Sequence, residues 1–203
     1  RDMLFSKGEI SMKKITITDA TLRECARRGD IALSFKEKLE IARQLERLSV
    51  DVIELPEIRN GKTDILLVRT VSSFVKNAVL SVAAGLGADS LEDALTALTG
   101  AARPRIRIEL PLSPVAMEYI CHKKPPKMLD SIAALVAAAK EKCADVEFCA
   151  VDATRADDGY LQAAIDAAIG AGADTERHDR ETENRGERRD KDRSHARFAC
   201  LHD

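Results

Sequence analysis

Between residues 13 and 174, short apolar or alternating runs take turns with longer stretches whose apolar positions recur every three or four residues. Ile15-Thr-Ile-Thr18 is short and β-branched, which predicts a first strand. From Ser34 onward, Phe35, Leu39, Ala42, Leu45 and Leu48 fall at helical spacing, and Ser34 with Glu37 three residues later has the form of a capping box. The same reading places a second strand over Val50–Leu55, closed by Pro56, and a helix over Asp64–Lys76. A third strand covers Val79–Ala84, ended by Gly85 and Gly87, and a helix runs from Ser90 to Leu98. Arg105–Leu110 is a fourth strand, followed by a helical segment over 115–143 that Pro125-Pro126 is expected to interrupt. Val146–Val151 is a fifth strand, and Asp157–Ile169 a helix stopped by Gly170 and Gly172.

Five strand–helix units in succession argue for a parallel sheet with helical crossovers. The pattern suits an α/β barrel and an open doubly wound sheet about equally. No Gly-x-Gly-x-x-Gly follows the first strand, which weakens the dinucleotide-binding form of the open sheet.

The periodicity stops at Thr175. Of the 28 residues from Glu176 to Asp203, 16 are Asp, Glu, Lys or Arg, and no apolar residue lies between Thr175 and Ala196. Such a stretch buries too little surface to offset the entropy of ordering it, so 176–203 is expected to be a disordered charged tail, out-of-frame translation being one origin. Its histidines 178, 195 and 202 have irregular spacing and are not read as metal ligands. At the other end, Met12-Lys13-Lys14-Ile15 looks like a natural start, leaving residues 1–12 as a leader or unstructured N-terminus.

Composition narrows the function classes. The 203 residues are 45% hydrophobic with only 3% aromatics and no Trp, so the core has to be aliphatic. A net charge of −2 supplies no basic field for nucleic acid or a membrane surface. No apolar run approaches the roughly 18 residues of a membrane span. The five cysteines form no Cys-x-x-Cys pair, as expected of reduced thiols in a cytoplasmic protein.

The candidate chemistry sits where the predicted strands end. In a parallel α/β fold those C-terminal ends share one rim. The first strand leads into Asp19-Ala-Thr-Leu-Arg23-Glu24, the second offers Glu54, the fourth Ser113, and the fifth Asp152-Ala-Thr-Arg155. Carboxylates are hard oxygen ligands for a divalent ion, and a guanidinium offers a planar fork to a substrate carboxylate. The same residues could equally form salt bridges between neighbouring rim loops.

Asp19-Ala-Thr-Leu-Arg-Glu24 resembles the first-strand signature of the homocitrate synthase / 2-isopropylmalate synthase / HMG-CoA lyase family, Asp-Thr/Ser-Thr-Leu-Arg-Asp/Glu-Gly-x-Gln. Ser34 to Leu45 followed by Val52-Ile-Glu54, Ser113-Pro-Val-Ala-Met-Glu-Tyr119, and Phe148-Cys-Ala-Val-Asp-Ala-Thr-Arg155 resemble further family segments in the same order. The resemblance covers residues 13–175. It implies a (β/α)₈ TIM barrel with about the first five βα units present, and a condensation of an acyl-CoA with a 2-oxo acid, as in amino-acid biosynthesis. It also implies a divalent metal (Mg, Mn or Zn) that polarises the keto group, with homodimers common among full-length relatives. Arg23 would be catalytic and substrate-binding, Glu24 a metal ligand, and Glu54, Ser113 and Arg155 further substrate contacts.

Departures accompany the resemblance. The Gly-x-Gln of the signature is Cys25-Ala-Arg27, the His before Met-Glu-Tyr is Ala116, and the fifth-strand Ser and Glu are Cys149 and Val151. Glu147 stands where the homocitrate synthase form has Arg, and the family's His-x-His does not occur in the sequence. The expectation is therefore a divergent chain, incomplete and inactive alone. The alternatives are a carbon–carbon lyase or aldolase of the same superfamily, and a non-catalytic fragment that needs a partner chain.

Overall fold

The computed structural model describes residues 15–28 and 31–179. The proposed leader, the tail from 180 onward and the histidines at 195 and 202 lie outside the described residues. Six strands form one sheet in strictly sequential order: β1 (Thr18–Asp19), β2 (Val52–Glu54), β3 (Val79–Ala84), β4 (Pro104–Pro111), β5 (Val146–Val151) and β6 (Thr175–Asp179). Every neighbouring pair is parallel. An open doubly wound sheet reverses its strand order at a switch point; here each crossover returns beside the strand just left, which is the winding of a barrel. The structure is the first six strands of a (β/α)₈ barrel. Among the described residues β1 pairs only with β2 and β6 only with β5.

The α-helices among the described residues are α1 (Thr21–Arg27), α2 (Phe35–Arg47), α3 (Gly61–Phe74), α4 (Ser90–Ala97), α5 (Pro114–Tyr119), α6 (Pro125–Lys142) and α7 (Asp158–Gly170). The capping box is formed: Ser34 Oγ accepts from the Glu37 amide, and the Glu37 carboxylate accepts from the Ser34 amide at 2.8 Å.

The helical segment over 115–143 breaks at Pro125-Pro126: α5 ends at Tyr119, and the proline pair starts α6, because a proline in the first turn gives up an amide that has no helical acceptor there. α1 begins two residues beyond β1. One expectation needs correcting. The charged run after Thr175 is not solvated from its first residue, since Thr175–Asp179 pairs with Glu147–Val151 as a sixth strand.

The two faces of the sheet differ sharply. Residues of one parity, including Ile106, Ile108 and Leu110 on β4 and Val146, Phe148 and Ala150 on β5, join the core formed with α3, α4, α6 and α7. The other parity faces the barrel interior and carries charge: Arg105, Arg107 and Glu109 on β4, Glu147 on β5 and Arg177 on β6. Helices therefore cover a dry outer face, and the chemistry lies on the inner one.

Candidate active site

α1 sets the first element of the site. Asp19 Oδ1 accepts from the Thr21 amide at 2.9 Å and Oδ2 from the Thr21 hydroxyl at 3.1 Å, turning the chain directly from β1 into the helix. Leu22 is buried in the core, and Arg23, one position round the helix, is buried as well. Arg23 Nη1 meets Glu54 Oε2 at 2.9 Å, and its Nε and Nη2 both reach Glu24 Oε1, at 2.9 and 2.8 Å. Arg23 and Glu54, named from separate motifs, thus come together as an ion pair.

Glu54 lies at the end of β2 with no solvent exposure. Besides Arg23 it faces Arg107 Nη1 at 3.5 Å and takes a close contact from Arg177 Nη1 on β6. Arg107, also fully buried, donates through Nε to Glu109 Oε1 at 2.7 Å and through Nη1 to Ser81 Oγ at 3.2 Å. Glu109 in turn accepts from Arg27 Nη2 at 2.7 Å. Glu147 lies 3.6 Å from Arg105 and 3.9 Å from Arg177.

Two departures from the family signature, Arg27 and Glu147, therefore have partners of opposite charge on other strands. Charge in this interior comes in matched sets, as burial requires.

Other expected contacts are placed elsewhere. Ser113 is buried, and its hydroxyl caps α5 by accepting from the Ala116 amide at 3.3 Å. Arg155, on a short 3-10 turn over Ala153–Arg155, pairs with Asp152 at 2.6 Å within its own loop. Neither lines the cavity described below.

Sequence reading missed Ser81, Arg107, Glu109 and Arg177. For β4 a signal existed: Arg105-Ile-Arg-Ile-Glu-Leu110 alternates strictly, whereas a parallel strand covered by apolar groups on both faces is near-continuously hydrophobic.

A cavity of ≈ 300 Å³ opens at the rim between the first two βα units. Among the described residues its cations are Arg23, Arg27, Arg28, Lys38, Arg59 and Arg107, and its carboxylates Glu57 and Asp64. The arrangement suits an anion. It does not suit a divalent ion: among the described residues no three His, Cys, Asp or Glu side chains cluster to hold one. Glu24, half exposed, has its Oε1 taken by two nitrogens of Arg23.

The two buried carboxylates next to Arg107 respond differently to the same surroundings. Burial by itself would raise Glu109, but Arg107, Arg27 and Arg23 outweigh it and hold the carboxyl below its ordinary value of 4.5. At Glu147 burial wins over Arg107, Arg105 and Arg177, and Glu54 adds to the rise, so its carboxyl sits above 4.5.

The linkage signs are therefore opposite. Glu109 contributes stability that is present above the unfolded-state value and lost as pH falls through its lowered folded value. Glu147 favours the fold in its protonated form, an advantage lost as pH rises through its raised value. Glu109→Gln is expected to cost about 2 kcal/mol at pH 7, where two charge-assisted bonds are weakened, and the deficit should shrink below about pH 4. Glu147→Gln should be neutral or stabilising at pH 7, since Arg105 keeps Asp145 at 2.9 Å and Arg177 keeps Glu54. Urea midpoints of the two variants across that pH range check both signs.

Sequential parallel winding with helical crossovers defines an α/β-barrel protein, and its charged residues gather at one rim. Comparison with known proteins narrows the class. The family model described as HMGL-like matches residues 14–177, and the chain belongs to that family. The match ends inside β6, two residues past Thr175. Among curated proteins the chain is 38% identical over 162 residues to 2-isopropylmalate synthase of Shouchella clausii, and 39% identical over 163 residues to that of Heliobacterium modesticaldum. Each alignment takes in 80% of this chain and 32% of the relative, so the chain spans about a third of the length of the curated relatives it matches. Among solved structures, phosphonopyruvate hydrolase in complex with oxalate and Mg²⁺ superposes with a TM-score of 0.52 at 15% identity, covering 71% of this chain and 56% of that one. At that identity the likeness concerns the fold alone.

Proposed function

We propose that this chain serves a condensation of an acyl-CoA with a 2-oxo acid, of the 2-isopropylmalate synthase type. The observation that carries the reading is the placement of Arg23: buried at the rim, lining the anion cavity, and held by Glu54 and Glu24. In such a condensation a base takes a proton from the acyl-CoA methyl group, and the carbanion equivalent attacks the keto carbon. Negative charge passes from the enolate oxygen to the former keto oxygen, which is then protonated, and hydrolysis of the product thioester by water releases CoA as the free thiol. A preorganised guanidinium in a water-poor site stabilises that charge without having to reorganise. Arg23 fills this role, and Glu54 is the positioning residue that fixes its fork.

Arg27, second on the same helix face, is a better candidate for the substrate carboxylate than Ser113 or Arg155, whose polar groups are engaged in their own loops. A divalent ion remains an expected partner, with Glu24 the single ligand this stretch would offer.

A second reading, a barrel completed by another chain, draws on the one-sided pairing of β1 and β6. Release of free CoA thiol from acetyl-CoA, followed with a thiol-reactive chromophore in the presence of Mn²⁺ or Mg²⁺, separates the readings. Thiol release that depends on a 2-oxo acid supports condensation. Cleavage of a 3-hydroxyacyl-CoA without it assigns a lyase. Turnover only when the remaining strands are supplied as a second polypeptide favours the completed barrel.

A further inference from the structure

The described residues include four of the five cysteines, and their surroundings differ. Cys143 and Cys149 are buried, and Cys143 Sγ donates to the backbone carbonyl of Asp145 at 3.2 Å. Cys121 is half-buried, and burial pushes its thiol above the ordinary value of 9.0 against the pull of Lys123. Cys25 is the one of the four that lines the rim cavity. It is half-buried there, on α1, two residues from Arg23 and at the position where the family signature has Gly. A second, independent feature of the same cavity points to what meets that thiol. Arg107 lines the cavity from β4 and has no solvent exposure. Its Nε and Nη1 are engaged by Glu109 and Ser81, but its Nη2 is buried and has no hydrogen-bond partner among the described residues. A buried donor without an acceptor is costly. A group that brings an acceptor removes that cost, and a thiol in the same wall can hold such a group covalently.

We propose that Cys25 is a thiolation site for a small disulfide whose arms carry carboxylates, the chemical class of glutathione disulfide, with Arg107 Nη2 donating to the arm that stays. The Cys25 thiol gives its proton to solvent, and the thiolate attacks one sulfur of the disulfide. A new S–S bond forms as the old one breaks, and the other arm leaves as a thiolate. The disulfide is itself the oxidant: Cys25 is oxidised, the departing arm is reduced, and a thiol reductant reverses the step. The bound arm occupies the cavity of ≈ 300 Å³ that Arg23 also lines, so thiolation blocks the approach to Arg23. Only that consequence rests on the condensation reading. The exchange itself depends on the cavity and its thiol.

The test treats the 203-residue polypeptide, folded and in urea, with dithiodiglycolate and with the neutral bis(2-hydroxyethyl) disulfide. Peptide mass spectrometry follows the mixed disulfide at each cysteine with time. In the folded chain Cys25 should be modified ahead of Cys121. Dithiodiglycolate should also outpace the neutral disulfide at Cys25 by a ratio roughly tenfold larger than in urea, the worth of one charge-assisted hydrogen bond to a buried donor. Dividing by the urea ratio cancels the intrinsic reactivity of the two reagents. Arg107→Lys keeps the charge but withdraws the Nη2 donor, and should return the ratio to its urea level. That variant risks the fold, so the folded-to-urea ratio of the parent chain is the deciding number. Cys121 reacting first, or equal ratios in the folded chain and in urea, overturns the proposal. A preference that survives in folded Arg107→Lys overturns it too. Thiolation is read by mass, so selective modification of Cys25 in a chain that releases no CoA from acetyl-CoA keeps this inference and counts only against the condensation reading. Release of CoA without selective modification does the reverse.

Discussion

Glu54→Ala is expected to lower the stability of the fold by about 3–5 kcal/mol, the cost of removing one partner from a buried ionic cluster. Glu54 is wholly enclosed, and Arg23, Arg107 and Arg177 all converge on it, from α1, β4 and β6. Its side chain is thus the point at which three separate stretches of chain are tied across the barrel interior. Deleting it leaves three guanidinium groups of the interior without a shared carboxylate. A domain of this size has roughly 5–15 kcal/mol in total, so a large share goes with one residue.

Glu54→Gln keeps the shape and an acceptor oxygen, and should lose less. An apolar replacement of the cluster, Glu54→Leu with Arg107→Met and Arg177→Met, should recover much of the loss, because it removes the desolvation cost of the charges together with their attraction. Urea unfolding of the three variants measures this. A midpoint for Glu54→Ala within error of the parent would show that the interior is wet and the cluster weak.

That cluster also marks where sequence reading reached its limit. The strands β3 and β5 were legible to the residue, since Val79–Ala84 and Val146–Val151 are apolar runs bounded by turns. The helices were legible wherever an apolar stripe met a cap, as at Ser34. β6 was not legible. Glu176-Arg-His-Asp179 is polar throughout, and a local reading of composition predicts solvent. What makes it a strand is non-local: Arg177 finds Glu54, 123 positions earlier in the chain, and Glu147 on the neighbouring strand.

The rim followed the same rule. Arg23 and Glu54 were recognisable as motif residues. That Arg107 and Glu109 lie beside them depends on the inward parity of β4, which alternation hinted at but did not assign to the barrel interior. Ser113 and Arg155 each find a partner within three residues, a helix amide and an aspartate, a local pairing that a motif does not reveal.

Arg23→Ala is expected to act mainly on turnover. In the proposed condensation, losing the donor to the developing oxyanion should reduce kcat by roughly 10²–10³-fold. The stability cost should be well below that of Glu54→Ala, because the neighbours stay paired: Glu54 keeps Arg107 and Arg177, Glu109 keeps Arg107 and Arg27, and Glu24 is half exposed. Arg23→Lys retains the charge but not the planar fork that meets Glu54 and Glu24 at once, so its rate should fall between the two.

A role confined to the transition state lowers kcat with KM nearly unchanged. A role in holding the ground-state carboxylate raises KM instead, and would transfer the catalytic assignment away from Arg23, with Arg27 as the next candidate. The measurement uses whichever form turns over, the 203-residue polypeptide or its fusion to the second half of a relative's barrel. If Arg23→Ala loses stability as heavily as Glu54→Ala while residual folded protein keeps its full rate, Arg23 is a structural partner of Glu54 and the charge-stabilising role belongs elsewhere on the rim.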